Sequence, residues 1–281
     1  MALLTFTGCL FYAVALTAAE KPQKESVKWL YGPGVAPLKQ TAEIKLPSGY
    51  KFADGETTQR LLKAAGEPTT GRELGMMMPE DGDWTVFFEF SDEGYVKDDD
   101  KDKLDPDKLL KAIKKGNDYA NQQRKKMGTP SLDIVGWEQK PAYDPETHNL
   151  QWAIRAESEG RPIINYNTRL LGRKGVMEVV LVCKPEALGE IVPTFKSLLA
   201  DYSFKTGERY AEYKPGDKLA KYGLAALVTG GAVAVAAKTG FLAVIVAFFK
   251  KGAKLIIIGV IAIAAFFRKL IFGRSAAERT E

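Results

Sequence analysis

The chain contains one histidine, His148, and Asp144 lies four residues before it. A His–Asp pair can serve as a general base, and Thr147 or Ser158 could then act as the nucleophile of a hydrolase. The sequence has no Gly-x-Ser-x-Gly motif, however, and a proline-rich hairpin turn is a poor platform for catalysis. We therefore predict that the histidine hydrogen-bonds within its own turn, and we keep a hydrolase that uses His148 and Asp144 as the alternative.

A second set of polar residues alternates along two predicted strands. Asn165, Asn167 and Arg169 share one face of their strand, and the neighbouring strand carries Arg155. Arginine binds carboxylates bidentately, and amides both donate and accept hydrogen bonds, so this face suits a carboxylate, a sugar or a peptide group. The alternative is the solvated outer face that antiparallel sheets commonly have. The sequence predicts a ligand or partner surface made of these residues of the sheet and the adjoining turn: Asn165, Asn167, Arg169, Arg155, Tyr143 and His148.

The composition excludes several kinds of metal and cofactor site. One histidine and two cysteines, Cys9 and Cys183, cannot build an iron–sulfur cluster, a multi-disulfide scaffold or a zinc site with several His and Cys ligands. The acidic run at 98–107 lacks the spaced carboxylates and central glycine of an EF-hand loop, so we interpret it as a solvated loop before a helix. We therefore predict neither a metal site nor a cofactor.

Apolar and alternating segments of β type dominate the middle of the chain. Trp84 and Trp152 fall on apolar strand faces and are predicted to lie in the core. The connections between the later strands are too short for a parallel crossover, so these strands are predicted to be antiparallel neighbours. The predicted strand segments are 42–52 with a turn at Pro47-Ser48-Gly49, 84–90, 133–139, 149–157, 162–170, 175–183 and 202–204.

Amphipathic helices are predicted between and after these strands. They cover residues 57–65, 106–126 and 185–201, and the second has Pro106 in its first turn. The apolar side of each helix must be buried against the sheet. The predicted fold class is therefore α+β: an antiparallel sheet with amphipathic helices on one face, plus C-terminal transmembrane helices.

Both ends of the chain are apolar. Residues 1–19 carry no charged side chain and are typical of a secretory signal, although no Lys or Arg precedes the apolar run. The sequence leaves open whether this segment is cleaved or is retained as an anchor. Residues 20–217 are then predicted to be the exported α+β domain.

Residues 218–281 are predicted to be a hydrophobic membrane anchor with a basic tail. Residues 222–249 are almost continuously apolar and are interrupted only by Lys238, and a bilayer span needs about 20 such residues. A second apolar run at 255–267 follows a basic turn, so a helical hairpin is predicted, with one span plus an interfacial helix as the alternative. Small residues in the first run permit close helix–helix contact, and these are Gly230, Gly231 and Ala234.

The charges follow the same division. Residues 218–281 hold ten Lys and Arg against two Glu, a net charge of +8, whereas residues 20–217 hold 30 basic and 33 acidic residues, a net charge of −3. Basic residues beside apolar helices suit anionic lipid headgroups. Because no concentrated basic patch is evident in the middle of the chain, nucleic acid is not an expected partner. The expected partners are the lipid bilayer and a second protein, or self-association through the membrane helices.

Several longer motifs resemble one protein family. They are Gly136-Trp137, Pro141-x-Tyr143-Asp144, the stretch from His148 to Ala153 and the stretch from Asn165 to Gly175. These motifs resemble the DUF2167 family of bacterial membrane-anchored proteins, and the resemblance covers most of the chain. It implies an exported domain, a membrane anchor and no established biochemical activity. More loosely, the sheet and the segment 193–204 are similar to PsbP- and Mog1-like domains, which serve as binding or assembly factors.

Together these features predict an envelope protein that is anchored in the bacterial inner membrane. Its α+β domain is expected to face the periplasm and to act as a non-enzymatic binding or scaffold domain. The envelope hydrolase that uses His148 and Asp144 is the alternative function. The sequence specifies neither the partner, nor the oligomeric state, nor the biological process.

Overall fold

The computed structural model describes residues 27–67 and 69–230. The predicted signal-like segment 1–19, the part of the predicted membrane run 222–249 that follows Gly230 and the predicted run 255–267 lie outside these residues. Eleven strands occur in the described part of the chain. They are β1 (Leu30–Tyr31), β2 (Gly34–Leu38), β3 (Ala42–Leu46), β4 (Tyr50–Asp54), β5 (Glu73–Pro79), β6 (Thr85–Ser91), β7 (Asp133–Asp144), β8 (Asn149–Ser158), β9 (Arg161–Leu171), β10 (Val176–Cys183) and β11 (Tyr202–Phe204).

Eight of these strands form the larger sheet, in the order β1-β4-β5-β6-β10-β9-β8-β7, and β11-β3-β2 form a smaller one. All neighbouring strands in both sheets are antiparallel. Successive strands from β7 to β10 pair with each other, because their short connections leave no room for a parallel crossover. The structure thus confirms the predicted mixed α+β fold with a large antiparallel sheet.

Within residues 27–67 and 69–230, four α-helices accompany the sheets: α1 (Gly55–Ala64), α2 (Pro106–Met127), α3 (Leu188–Ala200) and α4 (Leu224–Thr229). The ends of α2 are set by local chemistry. The side chain of Asp105 accepts a hydrogen bond from the backbone N–H of Lys108 at 3.1 Å, and Gly128 ends the helix in the left-handed conformation with φ 71°. The first three helices lie where the sequence predicts them.

Helices cover both faces of the larger sheet, so the prediction of helices on one face is wrong. On the α3 face, Ile191 and Phe195 of α3 pack with the smaller sheet against Phe88. On the opposite α2 face, Leu109 of α2 and Leu62 of α1 share a separate core. The central strands are buried on both sides, and a sheet with two apolar faces needs a covering layer on each.

The strand register assigns polar and apolar residues to the same face. Trp152 of β8 lies opposite Asn167 of β9, and Leu150 lies opposite Arg169. All four side chains therefore lie on the α2 face. The predicted division into one apolar and one polar face is wrong, because alternation fixes the two sides within a strand but not their match to the neighbouring strand.

The short helix α4 is part of the folded domain. Leu224, Leu227 and Val228 are buried in the core on the α2 face, so the domain continues beyond the boundary expected at 217. Gly230, with φ 80°, ends α4 instead of lying within a membrane helix, while Gly231 and Ala234 lie outside the described residues. None of the helices among residues 27–67 and 69–230 is long and apolar enough to cross a membrane.

Candidate functional site

The structure divides the predicted ligand-binding residues among three places. Tyr143 and His148 meet at the turn between β7 and β8. Arg155 lies on the α3 face of β8, where it forms a partly exposed ion pair with Glu138 at 2.7 Å. The remaining three residues are buried on the α2 face, with 0–2% of their surface exposed, and they are Asn165, Asn167 and Arg169.

Asp144 holds the turn together. Its carboxylate accepts hydrogen bonds from the backbone N–H of Glu146 at 2.9 Å and from the hydroxyl of Thr147 at 2.8 Å. These two hydrogen bonds, that of the Thr147 hydroxyl first, hold the pKa of Asp144 below its ordinary value. The aspartate therefore serves the turn itself, and the proposed catalytic partner of His148 is already occupied.

Tyr143 links the turn to the acidic loop. Its hydroxyl donates a hydrogen bond to Oδ2 of Asp98 at 2.9 Å and lies 3.1 Å from Nδ1 of His148. The hydroxyl has one proton, and it donates this proton in its hydrogen bond to Asp98. Nδ1 of His148 therefore acts as the donor in its hydrogen bond to Tyr143. Burial raises the pKa of Tyr143, and the hydrogen bond with Asp98 raises it further.

Four aromatic rings follow one another from His148, and the Tyr95 and Tyr210 rings are stacked while the other two pairs are tilted by 35° and 38°. We name these rings the aromatic ladder: Tyr213, Tyr95, Tyr210 and His148. Successive ring centroids are 4.4, 4.3 and 4.3 Å apart. The buried ring of Tyr210 is fixed further by a hydrogen bond from its hydroxyl to the carbonyl of Val96 at 3.0 Å. Burial also raises the pKa of Tyr210 well above its ordinary value. The ladder is therefore a row of ring contacts centred on the buried ring of Tyr210.

An ion pair fastens the segment that carries two of these rings. Arg173, in the turn between β9 and β10, donates two hydrogen bonds to the carboxylate of Asp217 at 2.6 and 2.8 Å. The Arg173 guanidinium, together with the backbone N–H of Lys214, lowers the pKa of Asp217 to about 2. This bidentate pair closes the segment 207–217 against the sheet, which places Tyr210 and Tyr213 beside Tyr95.

The geometry does not assemble the alternative hydrolase. The hydroxyl that reaches His148 is the phenol of Tyr143, whose raised pKa makes it a poor nucleophile. Thr147 is bonded to Asp144, and Ser158 donates to the carbonyl of Ser131 at the far end of β8. In the described part of the chain, neither hydroxyl proposed as a nucleophile has a hydrogen bond to the histidine.

A charge-balanced network occupies the centre of the α2 face. Arg169 pairs with Glu178 at 3.1 Å, and Arg72 pairs with Glu89 at 3.1 Å and with Glu178 at 3.6 Å. Arg169 also lies over the ring of Trp152, 4.8 Å from its centroid. Two guanidinium groups thus neutralise two carboxylates. Arg169 and Glu89 are buried, where an unpaired charge would be costly, and Arg72 and Glu178 are partly exposed.

A small cleft adjoins this network. Its empty volume, including the part open to solvent, is about 260 Å³, and Phe87 and Val180 line it together with the four charged residues. The groups that would hold a ligand already bind each other, and the cleft is smaller than the usual pockets for small molecules. We conclude that Arg169 and its neighbours form a structural ion-pair network rather than a ligand site.

Sequence reasoning missed part of this network, although a signal was present. Glu89 and Glu178 are single acidic residues within the strongly apolar segments 84–90 and 176–183, and an isolated acid in a buried strand implies a buried counter-charge. Asp98 and the tyrosines of the aromatic ladder had no such signal, because they come from distant loops that only the fold brings together.

The acidic loop also contacts α4. Asp100 accepts a hydrogen bond from the backbone N–H of Leu224 at 3.0 Å, and its second oxygen lies 3.5 Å from the backbone nitrogen of Ala225. A carboxylate at a helix N-terminus satisfies free N–H groups and stabilises the helix. The predicted solvated loop therefore has two structural contacts, Asp98 with Tyr143 and Asp100 with α4. Among residues 27–67 and 69–230 there is no group of three or more His, Cys, Asp or Glu residues suited to a metal ion.

The fold and the site define a mixed α+β domain whose large antiparallel sheet is covered on both faces and whose aromatic ladder lies at one end. The chain belongs to the DUF2167 family, described as a protein family of unknown function, and the family model matches residues 30–264. This confirms the resemblance found in the sequence motifs. No curated protein matches the sequence.

Two solved structures are also similar to this chain, of the two kinds named from the sequence. The solution structure of cyanobacterial PsbP (CyanoP) from Synechocystis sp. PCC 6803 is 11% identical, with 68% of this chain and 99% of that chain covered and a TM-score of 0.39. The crystal structure of the Saccharomyces cerevisiae Ran-binding protein Mog1p is 8% identical, with 58% of this chain and 89% of that chain covered and a TM-score of 0.31.

Proposed function

We propose that this protein is a membrane-anchored component of the bacterial envelope that binds a protein partner. The apolar residues 231–249, with Lys238 as their one charge, and the run 255–267 would anchor it in the inner membrane. The signal-like segment 1–19 would direct the α+β domain to the periplasm. The domain would act as a non-enzymatic binding or scaffold module.

The aromatic ladder is the observation that supports binding at the hairpin end of the domain. Tyr95, Tyr213 and His148 are each partly exposed. The rings of Tyr95 and His148 contact the buried ring of Tyr210, and the ring of Tyr213 contacts that of Tyr95, so these contacts fix their positions. Tyrosine rings held in one conformation lose little entropy when a partner covers them, and tyrosine is enriched in the energetically dominant parts of interfaces. Of the binding residues predicted from the sequence, Tyr143 and His148 lie in this surface, and Arg169 and its two amide neighbours do not.

The binding function is preferred over hydrolysis for a geometric reason. Asp144 is engaged by the turn, and the hydroxyl beside His148 belongs to a tyrosine whose pKa is raised. A protein contact needs none of these groups to ionise, whereas a hydrolytic triad needs a nucleophile that transfers its proton to the histidine.

Site-specific crosslinking in intact cells tests the proposal. A photo-crosslinking amino acid placed at Thr147, an exposed position of the turn, should form one discrete adduct with a partner. The same amino acid at Lys196, exposed on α3 on the far face, is the matched control. The adduct should disappear in the Tyr213→Ala variant while the melting temperature stays close to that of the wild type. An adduct that forms equally at both positions, or that survives loss of the tyrosine, would refute the assigned surface.

The location of the domain is tested separately. After cell breakage, the full chain should stay in the membrane fraction through an alkaline carbonate wash. A cysteine introduced at Thr147 should react with a membrane-impermeant thiol reagent applied to cells whose outer membrane has been permeabilised. Release by carbonate would refute the membrane anchor, and protection of the cysteine would refute the periplasmic orientation.

A further inference from the structure

Helix α2 concentrates positive charge on one side of the domain. It contains seven Lys and Arg against two Asp, a net charge of +5, although residues 20–217 as a whole have a net charge of −3. Leu109, Ile113 and Asn117 are buried against the sheet. The opposite side exposes six lysines, which we name the lysine stripe: Lys108, Lys111, Lys114, Lys115, Lys125 and Lys126.

The lysine stripe corrects the prediction that the middle of the chain lacks a concentrated basic patch. The lysines are dispersed over 19 sequence positions, but the period of the α-helix brings them to one side of α2. With about 100° of rotation per residue, Lys108, Lys111 and Lys115 fall within about 60° of one another, and Lys126 returns to the direction of Lys108. A helix of this size is about 33 Å long, so the stripe is an extended line of charge rather than a pocket.

Most of these charges have no partner within the part of the chain that the structure describes. Lys108 pairs with Asp105 at 2.8 Å, and Lys114 donates to the carbonyl of Val135 at 3.2 Å. The other four side chains make no hydrogen bond or ion pair with residues 27–67 or 69–230. Their charges are therefore directed at solvent or at an external partner.

The helix that carries the lysine stripe packs against α4, the last element of the described chain. Leu109 of α2 and Leu224 of α4 share one core. The chain leaves the described domain at Gly230, directly after α4, and the apolar residues 231–249 follow. The helix that carries the stripe thus supports the point from which the proposed membrane segment departs.

We propose that the lysine stripe docks the domain on an anionic lipid surface. Lysines interact with phosphate headgroups as point charges, and a line of them on a helix matches a plane of headgroups. A nucleic-acid surface would be expected to combine such charges with arginine forks or several exposed aromatic rings, whereas Tyr119 is the one exposed aromatic residue described on α2. This inference rests on the proposed location of the protein at the membrane, and it adds the lipid class and the face of the domain that contacts it.

The test uses the full chain reconstituted into vesicles. A Cys9→Ser, Gln122→Cys variant carries an environment-sensitive fluorophore on the exposed side of α2. Vesicles of phosphatidylcholine alone are compared with vesicles that also contain phosphatidylglycerol, and quenching by spin-labelled headgroups reports docking. Quenching should occur with the anionic vesicles and should be lost at about 1 M salt, where the Debye length falls to about 3 Å. Lys111→Glu with Lys115→Glu should reduce the docked fraction at least about tenfold.

The matched control reverses two exposed lysines on the other side of the sheet, Lys39→Glu with Lys196→Glu, which changes the net charge equally. Docking that survives in this control and is lost in the stripe variant supports the proposal. Equal quenching in neutral and anionic vesicles would overturn it. So would oligonucleotide binding by the detergent-solubilised chain, if the stripe variant abolishes that binding and leaves vesicle docking intact.

The two proposals fail in distinguishable ways. If the carbonate wash releases the protein but it still floats with anionic vesicles at low salt through the stripe, the anchor is refuted and the lipid-docking inference stands. If the protein resists carbonate but the fluorophore remains in water with both kinds of vesicle, the anchor stands and the inference is refuted.

Discussion

The hydroxyl of Tyr143 lies 3.1 Å from Nδ1 of His148 across the turn between β7 and β8. The backbone of His148 has φ 53°, a left-handed conformation that non-glycine residues rarely adopt. The contacts of its ring with Tyr143 and Tyr210 stabilise this conformation. Tyr143 also donates to Asp98, so one hydroxyl fastens the turn to the acidic loop.

Replacing Tyr143 by phenylalanine removes both of these hydrogen bonds. Because one of them is to a carboxylate in a partly buried position, we expect the free energy of unfolding to fall by about 1–2 kcal/mol. Chemical denaturation followed by circular dichroism measures this. Tyr31→Phe, at a tyrosine that is 54% exposed, is the matched control and should change the stability by less than about 0.5 kcal/mol. Equal stability of the two variants would contradict a structural role for the hydroxyl.

Arg169 and Arg155 offer a comparison between a buried and an exposed arginine. Arg169→Met leaves Glu178 facing a buried site with one of its two cations missing, and we expect a loss of about 3–5 kcal/mol. Arg155→Met breaks a partly exposed pair with Glu138 and should cost about 1 kcal/mol or less. The midpoints of chemical denaturation of the two variants, compared with that of the wild type, measure these losses of stability. If Arg169→Met kept wild-type stability while losing a partner, the residue would belong to the binding surface after all.

The pair of Arg173 and Asp217 predicts a pH dependence of stability. The pKa of Asp217 is about 2 in the folded protein and close to 3.8 in the unfolded chain. A lowered folded pKa stabilises the fold fully above the unfolded value, and this stabilisation disappears as the pH falls from about 4 to about 2. Asp217→Asn should therefore be less stable than wild type at neutral pH, and the two should converge near pH 2. Asp81→Asn, at an exposed aspartate, is the control. A stability difference that does not narrow on acidification would contradict this linkage.

The contact of Asp100 with the N-terminus of α4 predicts that removal of this carboxylate promotes local unfolding of α4. Asp100→Ala leaves the first N–H groups of α4 without their carboxylate, and capping residues contribute about 1 kcal/mol. We expect limited proteolysis with chymotrypsin to cut faster at Leu224 and Leu227 in this variant. Asp99→Ala, at the exposed neighbouring position, should be cut at the wild-type rate. Unchanged cleavage in Asp100→Ala would mean that packing alone holds the helix.

Eight of the eleven described strands and three helices could be predicted from local patterns, whereas β1, β2 and β5 were not predicted. Alternation in 149–157 and 162–170, the proline at the start of α2 and the short connections all act over a few residues, so they are readable in the sequence. The strand β5 was missed because its Met76-Met77-Met78 run has neither alternation nor β-branched residues.

The candidate site was less predictable, because it depends on register and on distant loops. Asn167 alternates as a solvated residue would, and only its pairing with Trp152 assigns it to the buried α2 face. The aromatic ladder joins Tyr95 to Tyr210, which are separated by more than a hundred positions. No local pattern records such a contact, since nothing in either segment depends on the other until the chain has folded.

The burial of α4 in the core leaves no free segment between the folded domain and Gly230, the last described residue. If the proposed membrane anchor pulled on the chain at Gly230, the force would act directly on the six residues of α4. These residues span about 9 Å as a helix and about 20 Å when extended. Tension would therefore unfold α4 from its C-terminal end, beginning with Val228, and the contact of Leu224 with Asp100 would be lost last. The chain would lengthen by about 10 Å while the sheet stays intact, so α4 would yield before the rest of the domain.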